Sequence, residues 1–127
     1  MFKPAVLFFN IAQDSRCAKM EAFLSGRGVL VRHVAASEFG LPLGALLSLP
    51  GFSLVPVASA VPFYEEMLLM SGFDDQLLQE FLAFFTREGV RRVALKAMLT
   101  PTNASWNASE LHRHLSAEHA QFQKMKK

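Results

Sequence analysis

Lys96, Thr100, Thr102 and Asn103 bring an ammonium, two hydroxyls and a carboxamide into one short stretch. Such a set can hold a phosphate or carboxylate, and here it follows a predicted strand end and precedes a predicted helix start. Open α/β sheets bind anions at such connections. The four residues are therefore the candidate ligand site. A local alternative stands beside it, in which Thr100 and Asn103 tie down the turn at Pro101 and Lys96 lies on the solvent side of an edge strand. Cys17 is the one cysteine. A strand, loop, Cys and helix loosely suggest a redox protein, but no Cys-x-x-Cys is present. Cys17 also shares helical spacing with Met20 and Leu24, so a buried core thiol is expected.

His112, His114 and His119 lie among Glu110 and Glu118 near the end of the chain. His112 and His114 point to different sides of a helix, and the pairs at i, i+4 are mixed Glu/His, so a solvated, charge-paired face is expected rather than zinc. No Ser/His/Asp arrangement, paired-carboxylate site, Walker loop or G-x-G-x-x-G occurs. No catalytic residue, metal site or cofactor is expected.

The 127 residues are 51% apolar with 13 Lys+Arg against 11 Asp+Glu. A chain this apolar buries enough surface to offset its ordering entropy, which excludes disorder. A single cysteine excludes an internal disulfide framework. A net charge of +2 without a basic run argues against a nucleic-acid partner. The segment from Phe39 to Tyr64 has no charged residue, yet Pro42, Pro50, Pro56 and Pro62 break it, so no membrane span is expected. The opening MFKPAVLFFNIA run reads as a buried strand without a cleavage pattern. A cytoplasmic location follows, in which the Asn-x-Ser matches at Asn103 and Asn107 carry no meaning.

Val6 to Phe9 reads as a strand, Gln13-Asp14-Ser15 as a helix start, and Gly26-Arg27-Gly28 as its stop. Val29 to Val34 reads as a second strand and Leu41 to Leu49 as a short apolar helix. The order restarts with a strand at Met67 to Met70, a turn, and a helix from Asp75 to Arg87. That helix carries a broad apolar face of Leu77, Leu78, Phe81, Leu82, Phe84 and Phe85. Val93 to Met98 reads as a strand and Trp106 to Phe122 as a last helix. Lys124, Lys126 and Lys127 form a tail. Asn107 with Glu110 makes a capping-box-like start, and Trp106 lies where a hydrophobic staple would meet Leu111. Asp74 and Asp75 read as a cap and a first-turn acid.

Sliding the sequence by 61 places Leu7 over Leu68, Asp14 over Asp75, Ala22-Phe23 over Ala83-Phe84, Gly28-Val29 over Gly89-Val90 and Ala36 over Ala97. These seven identities exceed the roughly two expected by chance. The expected fold is α/β: two pseudo-symmetric βαβα halves, 1–49 and 67–127, sharing one four-stranded sheet covered by helices in a single domain. An apolar, Pro-rich connection, 50–66, joins them. A ferredoxin-like α+β sheet is the alternative if Phe52 to Val57 is a strand. The 61-residue offset puts Ala35 at the Lys96 position, Phe39 at the Thr100 position and Leu78 at the Cys17 position.

Gly72-Phe73, the run Lys96-Ala-Met-Leu-Thr100-Pro101-Thr102-Asn103, Trp106 and Glu118-His119 together resemble the bacterial family known only as domain of unknown function 3783, from about Met67 to His119. Phe39-Gly40-Leu41-Pro42-Leu43-Gly44 resembles a segment that precedes it in such proteins. The resemblance implies a fold relationship and a bacterial cytosolic setting, and brings no activity, substrate or cofactor.

Phe39, Leu41, Leu43, Phe52, Leu54, Val55, Val57, Val61, Phe63 and Tyr64 are too many apolar groups to expose singly. They either cover the chain's own core or form a contact surface for a homo-oligomer or protein partner. The expected function is a non-catalytic binding or interaction module using Phe39 to Tyr64. The alternative is a small anionic-ligand protein or enzyme centred on Lys96 to Asn103.

Overall fold

A computed structural model describes residues 4–57 and 60–125, with side chains described to residue 121. The Phe122 side chain and the tail lysines Lys124, Lys126 and Lys127 lie outside that description. Four strands, β1 (Ala5–Phe9), β2 (Leu30–Val34), β3 (Met67–Ser71) and β4 (Leu95–Met98), form one sheet in the order β2-β1-β3-β4. β1 pairs parallel with β2, β3 parallel with β4, and the two units meet antiparallel at β1 and β3. Phe52 to Val57 contains no strand, so the ferredoxin-like alternative is not the one adopted.

The central strands are apolar from Ala5 to Phe9 and from Met67 to Met70 because both faces are covered. Val6, Phe8, Leu68 and Met70 face α1 (Ser15–Gly26) and α3 (Asp75–Glu88), where they meet Met20, Leu24, Phe81 and Phe85. Leu7, Phe9, Met67 and Leu69 face the other way. There they meet the short α2 (Leu43–Leu46), the connection, and the start of α4 (Ala108–Met125). No helix among the described residues is long and apolar enough to cross a membrane.

α1 and α3 start and stop where the sequence signals them, whereas α2 is shorter than the expected Leu41 to Leu49 and α4 begins two residues after Trp106. Asp14 caps α1 by accepting from the Cys17 N–H at 2.9 Å, and Asp74 caps α3 by accepting from the Leu77 N–H at 2.8 Å. Gly89 ends α3 in the left-handed region at φ 64°, a conformation that favours glycine.

The antiparallel pairing corrects the sequence offset. Leu7 stands opposite Leu69, and the register on either side places a pseudo-twofold between them. That symmetry carries Leu7 onto Leu69, an offset of 62. The offset of 61 would exchange the two faces of a period-two strand. At the helix stops and core positions 61 holds, Val29 donating to the Leu24 carbonyl as Val90 donates to the Phe85 carbonyl, whereas the capping aspartates Asp14 and Asp74 stand 60 apart because α3 begins one residue earlier. For the outer strands the offset is 65, because Leu30 pairs with Ala5 as Leu95 pairs with Met67. The counterpart of Lys96 is therefore Val31, not Ala35. Loop-length differences absorb the changes of offset.

Candidate functional site

The strand-to-helix connection after β4 is built around Asn103. Its side-chain oxygen accepts from the Thr100 N–H at 2.8 Å, its own N–H donates to the Thr100 hydroxyl at 3.1 Å, and its amide donates to the Met98 carbonyl at 3.0 Å. Buried and bonded at both ends, the carboxamide closes the turn at Pro101. Thr102 is exposed and offers its carbonyl to the Ser105 hydroxyl at 3.2 Å.

Lys96 is placed apart from this turn. Its ammonium donates to the Val93 carbonyl at 2.6 Å and borders a cleft of about 190 Å³ with Leu115, Glu118 and His119 of α4. Thr100, Thr102 and Asn103 do not line that cleft. Burial, and secondarily the charge of Arg92, hold the Lys96 ammonium below the ordinary lysine range.

The residues that start α4 are engaged structurally. Asn107 accepts from the Glu110 N–H at 2.9 Å, as a capping side chain does. Trp106 packs into the same cluster as Leu111, while its ring stacks on His114 at 4.2 Å. His112 sits 2.7 Å from the Glu65 carboxylate and stacks on Phe63 at 4.2 Å. His119 borders the Lys96 cleft. The three histidines thus serve three separate places.

The uncharged connection divides into an inner and an outer half. Phe39, Leu43, Leu46 and Phe63 are buried over the sheet, with Phe39 and Phe63 stacked at 4.6 Å. Phe52 lies flat against Gly44, so closely that a Cβ there would stand 2.6 Å from the ring. The outer half projects: Leu54, Val55, Val57, Val61 and Tyr64 are 62%, 60%, 53%, 68% and 86% exposed. Backbone ties hold it in place. Val57 donates to the Gly40 carbonyl at 3.1 Å, and the Ser109 hydroxyl both accepts from Val61 N–H at 2.8 Å and donates to its carbonyl at 2.9 Å. Asn10 donates to the carbonyls of Phe63 and Glu65, both at 3.0 Å. Between Val61-Pro62 and α4 lies an open groove of about 560 Å³, reaching Glu110, His112 and Arg113.

A second constellation joins residues that the sequence reading kept separate. Cys17 and Glu21 stand one turn apart on α1, above His33 on β2. His33 Nε2 is 3.9 Å from Cys17 Sγ and 2.6 Å from Glu21 Oε1. Cys17 is buried, whereas the Glu21 and His33 side chains are 37% and 31% exposed. Burial first, then the carboxylates of Glu21 and Asp14, push the Cys17 thiol upward, so it keeps its proton. Sulfur and carboxylate both face the same ring nitrogen. A nucleophile relay would need them on opposite nitrogens, so this arrangement suits ligation better than proton transfer. The signal available in the sequence was the i, i+4 pair Cys17/Glu21 beside His33 on the helix-facing side of the next strand. Next to it Arg16 is buried, donating to the Arg91 carbonyl at 3.0 Å and pairing with Glu66.

With this geometry in hand, the family comparison falls on one half of the molecule. Residues 66–122 match the model described as Domain of unknown function (DUF3783). Over those residues the chain is similar to the DUF3783 family. The DUF3783 segment runs from the residue before β3 into α4, and so includes Lys96, the Asn103 turn and the α4 histidines. Cys17, Glu21 and His33 precede it. No curated protein and no solved structure matches the chain.

Proposed function

We propose that this chain is a non-catalytic interaction module that self-associates through the outer half of its connection, Leu54 to Tyr64. The observation that carries the reading is the run of five large apolar side chains, each more than half exposed, on a segment pinned at both ends. Exposed apolar patches of this kind serve contact surfaces. A twofold contact must be complementary to itself, and an uncharged apolar strip meets that condition without any pairing of charges. The chain's net charge of +2 opposes association little. A cytoplasmic setting suits the single free thiol.

Light scattering at high micromolar concentration tests this directly. The wild type should elute as a dimer, and Leu54→Asp or Val61→Asp, which place a charge in the exposed strip, should give a folded monomer. A wild type that stays monomeric overturns self-association.

A second reading rests on Lys96. Its half-buried ammonium lacks a carboxylate within ion-pairing distance among the described residues, which favours a small anion in the cleft beside α4. Inorganic phosphate should then raise the melting temperature of the wild type and not that of Lys96→Ala. Equal shifts in both proteins would remove this site.

A further inference from the structure

We propose that Cys17, Glu21 and His33 form a binding site for one divalent transition ion of the zinc class. The thiol sulfur, the carboxylate oxygen and the imidazole nitrogen lie within 4.8 Å of one another. Zinc holds sulfur at about 2.3 Å and nitrogen or oxygen at about 2.0 to 2.2 Å. Sulfur and nitrogen on one ion can then stand no more than about 4.4 Å apart, and the observed 3.9 Å satisfies this. The Glu21 oxygen, at 2.6 Å from the ring nitrogen, needs to open by several tenths of an ångström. A carboxylate that is one-third exposed has the freedom to do so.

The donor chemistry selects the ion. Binding would displace the Cys17 proton to solvent; the resulting thiolate and the carboxylate carry two negative charges and the neutral imidazole none, so a divalent cation leaves the site neutral. One sulfur, one nitrogen and one oxygen suit zinc-class ions, whereas magnesium and calcium take oxygen sets. The partial exposure of Glu21 and His33 leaves a fourth position open to solvent. The Phe8 ring meets the His33 ring edge-on at 5.1 Å, which holds the imidazole plane.

The other half of the molecule supplies an internal control. The positions equivalent to Cys17, Glu21 and His33 are Leu78, Leu82 and Met98, all half-buried, with Leu78 and Met98 packed on the core. The fold therefore accepts plain apolar residues at these places. The ligating set on the first unit is not demanded by packing.

Cobalt titration of the reduced, untagged, metal-free chain tests the site. One equivalent of cobalt should produce a thiolate-to-metal charge-transfer band with tetrahedral visible bands, and added zinc should bleach both. Cys17→Ser should abolish the charge-transfer band. Should that variant fail to fold, His33→Gln and Glu21→Gln carry the test, because their side chains are partly exposed; each should weaken cobalt binding at least about tenfold. A wild type without the band overturns the proposal, as do His33→Gln and Glu21→Gln proteins that hold cobalt as tightly as the wild type.

Discussion

The two βαβ units share a scaffold and differ in what they place on it. Each has a buried apolar central strand, a helix capped by an aspartate, and a parallel outer strand. At equivalent positions α3 and β4 carry Leu77, Leu78, Leu82 and Met98 where α1 and β2 carry Arg16, Cys17, Glu21 and His33. Apolar residues fill these places in the second unit, so packing does not demand the polar set of the first. The DUF3783 match covers the apolar version.

The largest expected contrast separates Arg16 from Leu77. Arg16→Ala removes a buried guanidinium and leaves the partly buried Glu66 with only the exposed Arg91 at 3.3 Å, and should cost about 3 kcal/mol. Leu77→Ala trims a half-buried side chain and should cost about 2 kcal/mol or less. Urea unfolding of the two variants measures both, and equal costs would mean that Arg16 contributes only packing.

Lys96→Val makes β4 resemble β2 at the position of Val31. Burial lowers the Lys96 pKa in the folded protein, so between the folded and unfolded values the unfolded chain binds more protons and wild-type stability rises with pH. The variant should be more stable than the wild type near neutrality. Its advantage should shrink as pH climbs through the folded Lys96 pKa, and a pH-independent difference in urea midpoints would contradict the burial penalty.

The smallest effect is expected at Asp14. Its carboxyl is held below the usual range mainly by the Cys17 N–H. The stability it adds is present above the unfolded value and lost as pH falls through the folded one. Asp14→Asn should therefore flatten the acid limb of the stability profile slightly. An unchanged limb would show that the cap contributes nothing through its charge.

Much of the architecture was readable in the chain because each element carries its own signal. Val6 to Phe9 and Met67 to Met70 are apolar runs, Asp14 and Asp74 stand at helix starts, and Gly28 and Gly89 stand at helix ends. The offset of 61 found the helices but not the strands, because identities do not record which face a residue occupies. The Asn103 turn was foreseen as the local alternative to a ligand site; its bonds to Thr100 and Met98 are short-range in sequence. The Cys17, Glu21 and His33 cluster was missed for the opposite reason. His33 comes beside α1 only through the crossover, and the helical spacing of Cys17 with Met20 and Leu24 already explained its burial.

The most direct test replaces the first unit's polar set by the second unit's residues: Cys17→Leu, Glu21→Leu and His33→Met in one chain. Calorimetric zinc titration and urea unfolding of this variant are read against the wild type. The wild-type chain should bind one zinc and the variant none, with metal-free stabilities within about 3 kcal/mol, since Cys17→Leu adds volume at a buried position. Equal zinc binding by both proteins, or a variant that no longer folds, would contradict the assignment of the site.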